Sequence, residues 1–206
     1  RVGRMDSELA GQVTLTMQDK VQLPRLYLVW PTGPSFDRQQ APLDMLSAVL
    51  GNGKACRLYR SLVYEKQIAR DVRVAHHAQE IAGEFHVQVT ASPGHSLEEI
   101  ESVVHEELDR LRSEPPGDME LARAKNRLES LNVSQLERIG GFGGRADQLN
   151  YYNTMTGDPE LINTDIERYL AVTVEDIQRV ASSVLSDRYV RLSVVPEQAL
   201  KPSSTP

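Results

Sequence analysis

Residues 50–72, LGNGKACRLYRSLVYEKQIARDV, constrain the fold more than any other part of the chain. Gly51-Asn52-Gly53 ends one helix and releases the chain into a second, because glycine closes a helix in left-handed backbone at least cost. The second helix carries Leu58, Leu62 and Ile68 among Arg57, Arg60, Glu65 and Lys66, and it runs straight into a strand. A Gly-x-Gly turn, an Arg-Leu-Tyr, a basic-acidic helix and an extended run, in that order, say more than composition does.

Around this stretch the apolar periodicity switches between that of strands and that of helices. Val13, Leu15 and Met17 alternate with polar residues over 11–17, as in a half-buried strand. Over 21–30, Leu26, Leu28 and Trp30 share one face and Tyr27 and Val29 the other, a well-covered strand with Pro24 at its start or edge. Pro42 then suits the first turn of a helix striped by Leu43, Leu46, Val49 and Leu50. Residues 70–79 and 84–91 predict a hairpin about a turn at 80–83, pairing Val74 with Val89 and Ala78 with Phe85. That register sets His77 directly opposite His86.

Ser96 caps a long helix and Glu99 completes a capping box, with Leu97, Ile100, Val104, Leu108 and Leu111 as the stripe. Beyond the break at 114–117, a helix over 118–139 buries Leu121, Ala124, Leu128, Leu131 and Leu136. Gly140, Gly141, Gly143 and Gly144 interrupt before a helical pattern resumes over 146–155. Gly157-Asp158-Pro159 opens a short helix ending near Leu170. Thr173 caps a last helix striped by Val174, Ile177, Val180, Ala181 and Val184, and 188–195 closes with Val190, Leu192 and Val194 alternating. Strands at both ends and helices between them predict an α+β class: two layers, a mixed and mostly antiparallel sheet with helices packed on one face.

With 206 residues the chain buries a sizeable core without staples, and its lone Cys56 excludes an internal disulfide. A net charge of −6 argues against nucleic acid as a partner, and no apolar run reaches membrane-spanning length. The first ten residues carry no apolar signal-peptide segment. A single domain over 1–196 followed by a linker or disordered tail over 197–206 is the expected organisation.

Candidate chemistry is sparse. His105-Glu106-Glu107 begins a His-Glu-x-x-His helix, but Asp109 stands where the second histidine belongs. His95-Ser96-Leu97-Glu98 approaches the inverted His-x-x-Glu-His form, with Glu99 in that place. Zinc needs its ligands on one helical face, so each substitution removes the site, and both histidines are expected on capped or solvated surface. His77 and His86, with Glu84, offer a weaker metal alternative. Cys56 has no evident base, and Arg145 after the glycine cluster does not make a phosphate loop. The expected catalytic and metal-binding sets of this chain are therefore empty.

The order of Gly51, Gly53, Arg57, Leu58, Tyr59, Leu62, Glu65, Lys66 and Ile68 resembles the second, non-catalytic domain of the insulinase/pitrilysin zinc metallopeptidases, the fold family of mitochondrial processing peptidase. The likeness extends to Pro24-Arg25-Leu26-Tyr27-Leu28 with Trp30, Leu128-Glu129-Ser130, Leu136-Glu137 and the glycine cluster. It continues through Ala146-Asp147, Leu149-Asn150, Tyr152, Gly157-Asp158-Pro159 and Val172-Thr173 with Asp176-Ile177. The resemblance implies one quarter of a clam-shell chamber whose zinc sits in a partner catalytic domain, in the same chain or another subunit. It also implies that the Arg and Tyr used by the family to hold substrate near zinc are missing, because Val63 and Arg70 stand in their places.

The function expected from this likeness is a non-catalytic, structural and substrate-enclosing domain of a zinc endopeptidase that degrades peptides. Arg73, His77, His86 and Gln88 are the expected chamber-wall residues, peptide is the expected substrate, and a periplasmic location is favoured over a cytoplasmic one. The alternative is a structural subunit of a larger assembly that has lost proteolysis, as respiratory core subunits of this family have.

Overall fold

The computed structural model describes residues 9–51 and 53–197. Its strands are β1 (Val13–Asp19), β2 (Arg25–Thr32), β3 (Ala69–Ala78), β4 (Gly83–Ala91) and β5 (Val190–Pro196). They form one sheet ordered β1-β5-β2-β4-β3. β1 and β5 run parallel, and every other neighbouring pair is antiparallel. The helices are α1 (Gln40–Gly51), α2 (Arg57–Tyr59), α3 (Leu97–Ser113), α4 (Asp118–Glu137), α5 (Arg145–Thr156), α6 (Ile166–Leu170) and α7 (Val174–Val184). They pack on one face of the sheet, the two-layer α+β arrangement that the periodicities predict. The expected tail from 198 onward, the first eight residues and Asn52 lie outside the described residues.

Alternation within the central strands builds the core. Leu26, Leu28 and Trp30 of β2, Phe85, Val87 and Val89 of β4, and Val72 and Val74 of β3 are buried on the helix side. Leu46 and Leu50 of α1, Ile100 and Leu108 of α3, and Ile177 of α7 meet them from the other layer. Each such side chain contributes about 1.5–3 kcal/mol by leaving water. Trp30 also donates from Nε1 to Ser186 O at 2.7 Å and packs against Phe85 and Tyr189.

The motif of residues 50–72 has a mechanical role. A side-chain carbon on Gly51 would lie 2.4 Å from Val74 Cγ2 and 2.8 Å from Val74 N, so glycine lets α1 end flush against β3. Gly53 has φ +118°, a conformation that penalises any other residue. The second helix is α-helical only over α2 and continues as a π-helical stretch, Arg60–Glu65, before Gln67 at φ 55° turns the chain into β3. Leu58 and Leu62 are fully buried and Ile68 nearly so. Arg57 reaches back to the start of α4, with Nε to Glu120 Oε1 at 3.1 Å and Nη2 to Glu120 Oε2 at 2.9 Å. It also donates to the carbonyls of Glu114 and Pro115. Glu120 in turn accepts from Gly117 N at 3.0 Å, so one guanidinium and one carboxylate fix the α3–α4 corner.

The structure corrects several expectations. The hairpin turns over 79–82, so Ala78 pairs with Gly83, Val74 with Val87 and Val72 with Val89. Consequently His77 faces Glu84 and His86 faces Ala75. A shift of two residues keeps apolar against apolar, so the hydrophobic pattern cannot choose between the registers and the turn decides. Val13, Leu15 and Met17 form no buried face: β1 is an edge strand, and they are 41%, 51% and 48% exposed. Val190 and Leu192 share that outer face, while the helix side of β5 carries Arg191 and Ser193. Arg191 is held by Glu101 at 2.6 Å, Glu98 at 2.9 Å and Ser193 at 2.6 Å. Ser96 caps α3, yet the Glu99 carboxylate goes to His95 instead of completing the box. The Thr173 cap does form a full box, with Asp176. α4 ends at Glu137 with Leu131 exposed, and the short helix after Pro159 divides into a 3-10 turn, Pro159–Asn163, and α6.

Two outcomes follow for stability. Gly51→Ala loses about 2 kcal/mol in urea unfolding, the cost of forcing α1 away from β3. Arg57→Ala loses about 2 kcal/mol, because the buried-edge carboxylate of Glu120 is left with fewer donors. The Arg57 hydrogen bond, offset in part by burial, holds Glu120 below its ordinary carboxylate value. The stability this contributes is present above pH 4.5 and is lost as pH falls through the depressed value. Acid unfolding of Arg57→Ala is therefore shallower over that window than that of the native chain.

Candidate functional site on the open face of the sheet

The face of the sheet away from the helices is built of four cross-strand rows. Asp71, Thr90, Arg25, Val194 and Met17 form one row from β3 to β1. Arg73, Gln88, Tyr27, Leu192 and Leu15 form the next. Ala75, His86, Val29, Val190 and Val13 form the third. His77, Glu84 and Pro31 complete the rim. The surface is thus divided: apart from Arg25, the β1-β5-β2 half is apolar, and the β4-β3 half carries imidazole, amide, guanidinium and carboxylate groups.

All four expected wall residues, Arg73, His77, His86 and Gln88, fall in the polar half on adjacent strands. Arg73 and Gln88 are direct cross-strand partners, and the Arg73 Nε donates to Asp71 Oδ2 at 3.2 Å. His77 and His86 are diagonal neighbours with ring centroids 4.7 Å apart, edge to face. His86 Nε2 is buried without a protein hydrogen-bond partner. Burial first, and then the neighbouring His77, hold His86 below the usual histidine range, so it is a neutral ring at pH 7. Glu84 lies across from His77, but no group of three His, Cys, Asp or Glu able to hold a metal occurs among the described residues.

The other flagged residues lie elsewhere. His95 pairs with Glu99 at 3.0 Å on the surface, and His105 joins Tyr189 Oη at 2.9 Å at the α3–β5 seam. Burial, followed by a hydrogen bond to Glu101, pushes the Tyr189 phenol up to about 12. Val63 packs partly against the core and Arg70 points to solvent, so the substrate-holding pair has no counterpart at these positions. Cys56 Sγ lies 3.4 Å from Ala48 O.

One cluster escaped sequence reasoning. His76 faces the helices, its Nδ1 at 2.7 Å from Asp44 Oδ1 and its Nε2 at 3.0 Å from Thr32 Oγ1. Tyr169 Oη donates to the second Asp44 oxygen at 3.0 Å. The order of hydroxyl, imidazole and carboxylate is that of a nucleophilic triad, but the His76 side chain is 1% exposed and Thr32 is buried. No substrate carbonyl reaches that hydroxyl, and the cluster instead ties β2, β3, α1 and α6 together. Period-two alternation already assigns His76 to the side of Val72 and Val74, where an imidazole needs partners.

The sheet thus presents an open face with a polar and an apolar part, opposite a helix layer that carries several internal polar networks. The chain matches the peptidase M16 inactive domain over residues 3–128, and it belongs to that family. No curated protein matches it by sequence. A protease from Helicobacter pylori superposes with TM-score 0.82 at 21% identity, covering 92% of this chain and 45% of that one. The inactive peptidase domain from Bordetella parapertussis superposes with TM-score 0.77 at 17% identity, covering 92% and 99%. The periplasmic protease PqqL from Escherichia coli gives 0.69 at 12% identity, covering 91% and 21%. The chain thus spans less than half the length of the H. pylori protease and nearly all of the Bordetella domain. At these identities the likeness establishes the fold.

The titration of His86 gives a further expected outcome. With its folded value depressed, stability is full above pH 6.5 and declines as pH falls below it. Unfolding midpoints measured between pH 7.5 and about 5 should fall. His86→Gln should flatten the slope.

Proposed function

We propose that this domain is a non-catalytic wall of a zinc endopeptidase chamber, enclosing peptide substrate while a partner catalytic domain of the same family cuts it. The carrying observation is the open face itself: contiguous apolar rows from Leu15 to Tyr27, bordered by Arg73, His77, His86 and Gln88. Such a surface suits an extended chain, whose alternating side chains can meet rows about 6.7 Å apart with mixed chemistry. Family membership supports pairing with a catalytic domain, in the same chain or another subunit, and the zinc is assigned to that partner. Likeness to a periplasmic protease supports a periplasmic location. Fold alone carries no activity, so the enclosing role rests on the face and its tests.

The test uses the parent peptidase, with this domain joined to its catalytic partner, and a fluorogenic peptide. Leu15→Asp with Tyr27→Ala should raise KM about tenfold and leave kcat nearly unchanged, because the face binds substrate without touching the reacting bond. The domain alone should show no cleavage. An unchanged KM, at unchanged melting temperature, would show that the open face does not bind substrate, and a parent without any cleavage would point to an assembly subunit. Chelator-sensitive cleavage by the domain alone would refute the reading outright.

A further inference from the structure

On the helix side, away from the open face, the end of α1, the turn at 53–56 and the first half of α4 enclose a cleft of about 300 Å³. Its floor is apolar, formed by Val49, Ala55 and Ala124, and two guanidinium groups, Arg123 and Arg127, stand over it one helical turn apart. Arg127 makes no hydrogen bond or ion pair among the described residues. Its Nη1 lies 3.8 Å from the place where a side-chain carbon on Gly53 would stand, an ordinary contact distance that puts the guanidinium beside the glycine turn at the cleft. Arg123 donates only its Nε, to Met119 O at 3.2 Å, which leaves its terminal amines unused.

The one carboxylate in the lining does not cancel these charges. Glu120 gives both oxygens to Arg57 and one of them also to Gly117 N. The cleft therefore combines apolar lining with two guanidiniums that form no ion pair among the described residues, Arg123 feeling the charge of Glu120 only at longer range. Its volume is at the small end of ligand sites, which suits a compact ligand more than a protein surface. Guanidinium prefers the planar, two-oxygen geometry of a carboxylate.

We propose that this cleft binds a carboxylate carried on a short aliphatic stem, with the oxygens on Arg123 and Arg127 and the stem on Val49, Ala55 and Ala124. The free C-terminus of a peptide ending in an aliphatic residue and a small fatty or keto acid share this chemistry. The site is independent of the open face, so its failure leaves the chamber-wall reading untouched.

The experiment titrates the purified 206-residue chain with N-acetyl-leucine and with N-acetyl-leucinamide by calorimetry. The acid should bind saturably and the amide should not. Arg127→Ala and Arg123→Ala should each weaken binding about tenfold at unchanged melting temperature, because one charged hydrogen-bond pair is removed. Cys56 lines the same cleft, so the acid should also slow its alkylation by iodoacetamide. Equal binding of acid and amide, no binding of either, or full binding by both arginine variants overturns the proposal. Tighter binding of a tetrapeptide ending in leucine than of hexanoate assigns the site to peptide termini, and the reverse order assigns it to small acids.

Discussion

The contact on which the arrangement depends is the seating of α1 on β3. Gly51 removes the side chain that would hold the two apart, and the resulting closeness lets Leu46 and Leu50 fill the hollow above Val72, Val74 and Val87. The same approach carries Asp44 to His76, and through His76 to Thr32 on the central strand. A polar cluster this deep is tolerable only when each member is paired, and each is. Geometry fixed by packing is thus locked by hydrogen bonds, and α6 is recruited through Tyr169.

From that seat the remaining helices follow. Arg57, held in place by the short π-helical segment behind it, clasps the α3–α4 corner, and α3 reaches across to β5 through Glu98, Glu101 and His105. The polar groups of the helix layer are largely spent on these internal ties. What remains outward on the sheet is a surface that no helix of the described residues covers.

Much of this was legible in the sequence where periodicity and capping act locally. The stripes of α3 and α7, the Thr173 cap and the faces of β2 and β4 follow from spacing alone. The misses in the sheet depend on which strand becomes an edge and where a hairpin turns, while in the helices His95 takes Glu99 from its box and Leu131 finds no neighbour among the described residues to bury it. Val13, Leu15 and Met17 have the pattern of a buried face, yet they lie on the side of the edge strand β1 that faces away from the helices. Arg73, His77, His86 and Gln88, the residues expected at a chamber wall, share one face despite the wrong register, because a slip of two preserves their face. Arg123 and Arg127 drew no attention in the sequence, and only the fold brings them beside the turn at 53–56.

The position of β5 bears on how the molecule is made. It lies between β1 and β2, so the first strand of the sheet has no neighbour until the last has been synthesised. Until then the inner edge of β2 presents unpaired backbone beside the apolar residues of the nascent core, a template for pairing with any other extended chain. Closure across such a span of sequence is slow relative to local helix formation. The chain therefore passes through an interval in which its middle is folded and its central strand is still open on one side. During that interval pairing with another chain competes with closure of the native sheet.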